Sequence, residues 1–219
     1  RNVKAAYAGE VTMVDEWIGH LLGALNDAGF MDDTIIVFTS DHGTMMGEQG
    51  EIHKGADRLR NQCTQVPLII RYPCAEHAGR RIAGFVQHQD IMPTILARLG
   101  VECPDRVQGE DLTPLVQSGG PSRRERVIQQ FGNYASVRTA KWNYVGLCMP
   151  APEGATPREE LYDLETDPEE LTNVIADHPE AAGELRDYLR QYFKAHASAT
   201  TGDLAPTGQD FPLEDQARL

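Results

Sequence analysis

The run Thr34-Ile35-Ile36-Val37-Phe38-Thr39, with a helical pattern before it and Ser40-Asp41-His42-Gly43 directly after it, constrains this chain more than any other feature. It is β-branched and apolar on both faces, the pattern of a strand covered on two sides in a mostly parallel sheet. Upstream, Val11, Val14, Trp17, Ile18, Leu21, Leu22 and Leu25 recur at helical spacing, so residues 7–28 read as one amphipathic helix. Gly29 is placed to end it, and Asp32-Asp33 form the turn into the strand. Helix, turn and strand thus make one αβ unit that delivers Asp41 to the sheet edge, where open α/β folds place their sites. The fold class is α/β.

Further along, Val66-Pro67-Leu68-Ile69-Ile70-Arg71-Tyr72 reads as a second buried strand, with Pro67 tolerable at its start. Residues 43–65 between the two strands show no clean periodicity, and so long an irregular stretch in a compact domain is functional or disordered. A short helix follows Val86 to Asp90, with Pro93 in its first turn, Ile91, Ile95, Leu96 and Leu99 on its apolar face, and Gly100 closing it. Ser118-Gly119-Gly120-Pro121-Ser122 is the best linker candidate, and Arg123, Arg124 and Arg126 beyond it read as an exposed edge. Val127–Phe131, Ala135–Arg138, Trp142–Leu147 and Glu160–Leu164 then read as short strands of a small antiparallel sheet. A closing helix runs from Pro179 to about His196, with Leu185, Leu189, Tyr192 and Phe193 inward. The chain accordingly divides into an α/β part over 1–118, a linker over 119–124, a small sheet with its helix over 125–196, and a tail over 197–219.

A net charge of −13 excludes nonspecific nucleic-acid binding through a basic surface. No apolar stretch approaches the length of a membrane span. Cys63, Cys74, Cys103 and Cys148 show no C-x-x-C spacing, which argues against a zinc knuckle or redox pair and leaves free buried thiols as the plain reading. Asp41 and His42 can offer an oxygen and a nitrogen to a divalent metal. Adjacent residues of an ideal strand point to opposite faces, so both can ligate one ion only if the backbone bends, which Gly43 permits. The competing reading is a turn capped by Asx hydrogen bonds. Lys54 is either a fixed charge for an anionic ester or a solvated lysine, and His53 either a general acid or a loop cap. Together these residues point to a metal-dependent hydrolase acting on a sulfate-like or phosphate-like group. Glu48 and Glu51 read as solvated or as carboxylates standing behind a metal ligand, and Arg58 and Arg60 as a solvated loop or as groups that help bind an anion. His20, His77, His88, His178 and His196 read as structural.

Several segments occur in an order that resembles the C-terminal half of a sulfatase, in the alkaline-phosphatase-like superfamily. They are Val14-Asp15 with Ile18-Gly19, then Asp33 through Gly43, Gly47-Glu48, His53-Lys54-Gly55 and Val66-Pro67-Leu68-Ile69-Ile70. Asp90-Ile91-Met92-Pro93-Thr94-Ile95-Leu96, Gly109-Glu110-Asp111-Leu112, and Glu160 through Glu170 with Asn173 complete the series, covering roughly residues 3–193. The resemblance implies the C-terminal part of an α/β/α sandwich with a small antiparallel subdomain, and sulfuric ester hydrolysis as the activity. Asp41 and His42 would bind the active-site metal, calcium by family habit, although a histidine ligand also suits manganese or zinc. Lys54 would contact the sulfate oxygens, and His53 would assist the leaving alcohol. The family nucleophile is a formylglycine made from a C/S-x-P-x-R motif. Nothing here matches it, since Cys103-Pro104-Asp105-Arg106 has its proline one place too early. The chain, which opens on Arg1, therefore reads as a fragment whose partners are its own N-terminal half and a sulfated small molecule or glycan. A phosphonate or phosphate ester hydrolase of the same superfamily is the first alternative, and a non-catalytic metal- or partner-binding remnant the second. Compartment, cytoplasmic or periplasmic, and oligomeric state stay open.

Overall fold

The computed structural model describes residues 2–53, 59–149 and 157–200, with the side chains of Asn2, His53 and 197–200 outside that description. The tail expected after the closing helix lies outside it from residue 201, as do Lys54 and Arg58. Helix α1 (Asn2–Asp27) starts a turn before its apolar pattern and ends at Gly29, whose φ of 74° is the left-handed cap expected there. Strand β1 (Ile36–Thr39) follows, then a small hairpin of β2 (Met45–Met46) and β3 (Ile52–His53), a one-turn helix α2 (Asn61–Thr64) and strand β4 (Leu68–Arg71). The stretch expected to be irregular thus contains the hairpin and α2, with a 3-10 turn (Glu48–Gly50) between the hairpin strands.

The run Thr34–Thr39 forms a strand over its last four residues, but its described pairing corrects the expected parallel one. β1 runs antiparallel to β4, with Ile36 opposite Arg71 and Thr39 opposite Leu68. Every strand pairing among the described residues is antiparallel. An apolar run records that a strand is covered and carries nothing about the direction of its neighbour. Nor is the coverage complete within this chain: Phe38 and Ile69, facing each other in the register, are 41% and 60% exposed. Along α1 the predicted apolar stripe is likewise open, with Val11, Val14, Trp17 and Leu21 all exposed.

Helices α3 (Ile91–Arg98) and α4 (Thr113–Ser118) come next, with Pro93 and Thr94 of α3 buried and Leu99, expected inward, exposed. Strands β5 (Val127–Phe131), β6 (Tyr134–Arg138), β7 (Trp142–Leu147) and β8 (Glu160–Asp163) form a four-stranded meander in sequence order. Helix α5 (Pro179–Thr200) packs on it, and Leu185 and Leu189 join Ala135, Val137, Tyr144 and Leu161 in the core. Tyr188 and Phe193 pack against this cluster from the side. No helix among the described residues is long and apolar enough to cross a membrane. Of the cysteines, Cys63 is buried, Cys74 exposed and the other two intermediate, and all four are free.

Charged residues join the meander to the β1–β4 region. Glu170 is fully buried, receives Arg138 Nη1 at 2.6 Å and Asn143 Nδ2 at 3.0 Å on one carboxylate oxygen, and receives the Asn61 backbone N–H at 3.0 Å on the other. Its carbonyl accepts from Gln49 Nε2 at 2.6 Å. Arg60, expected on a solvated loop, is instead 6% exposed and donates to Tyr162 Oη at 2.6 Å and Glu160 at 3.4 Å. Arg124, expected on an open edge, is half-buried and paired with the fully buried Asp90. Ser122 beside it is anchored too, its N–H on the Ala83 carbonyl and its hydroxyl on that of Phe85.

Glu170 holds φ at 56°, a left-handed conformation that costs a non-glycine residue about 1–2 kcal/mol. Removing its carboxylate strands the Arg138 charge, so Glu170→Ala is expected to lower unfolding free energy by about 3–5 kcal/mol. Glu170→Gly removes the same contacts but relieves the backbone, and is expected to be about 1 kcal/mol less damaging than the alanine variant. Denaturant unfolding of the two variants side by side checks both numbers.

Candidate active site

The site is built from the turn that ends β1. Four short contacts shape it. Ser40 Oγ donates to the His42 carbonyl at 2.8 Å, and Asp41 Oδ1 accepts the His42 backbone N–H at 2.8 Å. His42 Nδ1 lies 2.8 Å from the Gly43 carbonyl, and the Gly43 N–H donates to the Cys63 carbonyl at 2.8 Å. Asp41 Oδ1 takes the N–H of the next residue, whereas the Asx turn foreseen as the plain alternative takes that of the residue after it. The Gly43 N–H is given to Cys63, and the turn formed is a tighter one. It curls the backbone so that Asp41 and His42 project together rather than to opposite faces of a strand.

Because a carbonyl oxygen only accepts, the Nδ1 contact places a His42 ring proton on Nδ1 and turns the Nε2 edge of the ring toward Asp41. Nε2 then lies 3.2 Å from Asp41 Oδ2. Two neighbouring ligands on one ion, each with a bond of about 2.2 Å at about a right angle, sit about 3.1 Å apart. The pair therefore fits two positions on a single divalent ion. A hard ion takes six or more ligands, so these two are a partial set. Among the described residues no group of three or more potential ligands forms.

Gly43 is required by close approach. A Cβ there would lie 1.9 Å from the Gln62 carbonyl oxygen and 2.9 Å from its carbon, both backbone atoms of α2. The β2–β3 hairpin returns the chain to the same region, with Met45 paired to His53, so the His53 backbone lies beside the residue that follows the turn by two. The structure thus brings Asp41 and His42 together and returns the His53 backbone to Met45; the His53 side chain and Lys54 lie outside the described residues. Glu48, expected to be solvated, accepts the Met46 N–H at 2.5 Å and pairs with Lys4 at 3.5 Å, and the Met46 hydrogen bond leads the causes that lower its pKa.

On the other side of the turn stands a residue that the sequence left as structural. His88 Nε2 lies 2.8 Å from the Ser40 carbonyl and 3.4 Å from Thr39 Oγ1. It belongs to a 3-10 turn (His88–Asp90) closed by a capping box between Gln87 and Asp90. Asp90 is fully buried, and burial alone would raise its pKa. Hydrogen bonds from Arg124 at 2.6 and 2.9 Å, the Glu110 N–H at 2.9 Å and the Gln87 N–H at 2.7 Å outweigh that and hold it below the usual carboxylate range. Its only sequence signal was the segment that opens on Asp90. A cleft of ≈ 500 Å³ opens at this end of β1, with Thr39, Asn61, Gln65, His88, Gln129 and Arg138 in its wall.

Residues 1–101 match the sulfatase family model. An N-acetylglucosamine-6-O-sulfatase of Bacteroides thetaiotaomicron is 32% identical over 204 residues, covering 87% of this chain and 35% of its own. A solved structure of a protein with its substrate D-glucosamine-2-N,6-O-disulfate superposes with a TM-score of 0.73 at 30% identity, over 86% of this chain and 40% of that one. The phosphonate monoester hydrolase of Agrobacterium radiobacter superposes equally, with a TM-score of 0.73 at 30% identity, over 88% and 41%. The chain thus spans well under half the length of the proteins it matches. An α/β chain with antiparallel sheets and a polar turn past its β1 strand is, on these superpositions, part of an alkaline-phosphatase-like fold. Within that superfamily, residues 1–101 match the sulfatase family and the similarity to sulfatases extends over most of the chain.

Gly43→Ala is expected to lower unfolding free energy by about 1–3 kcal/mol, because its obstacle is backbone that cannot swing aside. Gly9→Ala in open space on α1 is expected to raise it by up to about 1 kcal/mol. Thermal denaturation of both variants checks the contrast. Because the folded Asp90 pKa is depressed, its contribution to stability is present above the ordinary carboxylate pKa and is lost as pH falls through the folded value. Asp90→Asn is therefore expected to be less stable than the parent at neutral pH and to lose less on acidification, read from unfolding midpoints between pH 7 and pH 3.

Proposed function

We propose that the protein carrying this chain hydrolyses sulfate esters, with Asp41 and His42 holding a divalent metal. The observation that carries this reading is the 3.2 Å approach of His42 Nε2 to Asp41 Oδ2 in a turn whose own hydrogen bonds hold the two groups side by side. The family relationship says which chemistry such a pair serves, and calcium is the ion it favours. When bound, the metal supplies positive charge to the non-bridging oxygens of the ester. Lys54 adds a second fixed charge to the same oxygens, which offsets the repulsion of a chain with net charge −13. His53 stands where the hairpin returns beside the turn and passes a proton to the departing alcohol. The nucleophile, a formylglycine by family resemblance, comes from residues outside this chain. The sugar sulfates in the names of the relatives make a sulfated glycan the favoured substrate class.

A phosphonate or phosphate monoester is the second reading, favoured by the equal superposition on the phosphonate monoester hydrolase. Both anions are tetrahedral and need the same clamp. Rates on an aryl sulfate and an aryl phosphonate monoester, measured on one preparation, separate the readings. A large preference for the phosphonate would replace the sulfate assignment.

In the full-length protein, Asp41→Ala is expected to lower kcat/KM for an aryl sulfate by at least about 10²-fold and to lower bound metal in parallel. Elemental analysis of the purified variant beside its kinetics provides the check. Unchanged activity would remove Asp41 from the site.

A further inference from the structure

We infer that His88 is a positioning residue for the Asp41–His42 pair: its imidazole, mounted on the Asp90–Arg124 clasp, fixes the peptide that precedes Asp41. This rests on the metal-site reading above. The Ser40 carbonyl is an acceptor, so His88 Nε2 at 2.8 Å carries the proton and donates it. That hydrogen bond sets the plane of the Ser40–Asp41 peptide, and rotation of this plane swings the Asp41 carboxylate away from His42 Nε2. The turn has a matching restraint on its other side, where the Gly43 N–H is held by the Cys63 carbonyl. Asp41 and His42 therefore sit between two anchors supplied by distant segments, α2 behind and His88 in front.

A positioning group must itself be fixed, and here the support is unusually complete for a side chain on an exposed turn. Asp90, two residues after His88, accepts four hydrogen bonds from three separate stretches of chain. Its own backbone carbonyl accepts from Thr94 Oγ1 at 2.6 Å, and Thr94 Oγ1 in turn accepts the Leu112 N–H at 2.9 Å. The Asp90 turn is thus rigid on both sides, and His88 transfers that rigidity to the Ser40 carbonyl. Groups that orient ligands in this indirect way typically change metal affinity by 10- to 100-fold when removed.

The test is calcium titration by calorimetry into the chelator-stripped, full-length protein, together with its melting temperature in chelator. Three proteins are compared: parent, His88→Ala and His88→Gln. Glutamine reaches the position of the ring Nε2 with an amide donor. The expected result is about tenfold weaker calcium binding in His88→Ala, a metal-free melting temperature close to the parent's, and recovery of most of the affinity in His88→Gln. Parent-like affinity in His88→Ala would overturn the inference while leaving the metal site standing. Equal loss in the alanine and glutamine variants would also overturn it, because then the donor is not what matters. A parent that binds no calcium would sink the metal reading itself and this inference with it.

Discussion

The buried Glu170 ties together segments that lie far apart in the chain. Its carboxylate is shut away from solvent and holds the Arg138 guanidinium of β6, the Asn143 amide of β7 and the first N–H of α2, while its carbonyl holds Gln49 of the hairpin loop. A buried carboxylate is tolerable only when its lone pairs are met, and here they are met by groups from different elements. Its geometry therefore fixes where α2 lies against the meander. α2 fixes Gly43 through the Cys63 carbonyl, and Gly43 fixes the turn that carries Asp41 and His42. The Asp90–Arg124 pair does the same from the opposite side through His88. Two ion pairs built on fully buried carboxylates, more than the apolar core, link the segments that frame the candidate site.

This division of labour explains what could be read from residues alone. α1, β1, β4, α3, the meander and α5 each announce themselves by periodicity and by glycine or proline at their ends, all of which are local signals. The Asp41–His42 pair was legible for the same reason: its members are adjacent and follow a strand. Gly43 could be named as the bend, although the reason it must be glycine, the Gln62 carbonyl, comes from a segment whose position the sequence does not reveal.

What escaped the sequence was long-range. Arg60 looks like any loop arginine until Glu160, a hundred residues away, is seen beside it. Arg124 looks solvated until Asp90 closes on it. His88 has no partner at any local spacing, because what it touches is a backbone carbonyl 48 residues earlier, and a carbonyl leaves no trace in composition. The direction of β1 against β4 was lost for a related reason. Apolar residues specify that a face is covered and leave the neighbour's orientation to the topology of the connection.

The uncovered stripe of α1 sets how these residues behave in water by themselves. Val11, Val14, Trp17 and Leu21 offer a continuous apolar surface, which favours contact with any similar surface. Thirteen excess negative charges oppose such contact by long-range repulsion. The two forces have different reach. Near physiological ionic strength the repulsion fades beyond about 8 Å, while the apolar attraction is untouched or strengthened by salt. The colloidal behaviour of this polypeptide is thus set by ionic strength, with charge keeping molecules apart in dilute buffer and the helix face drawing them together as salt rises.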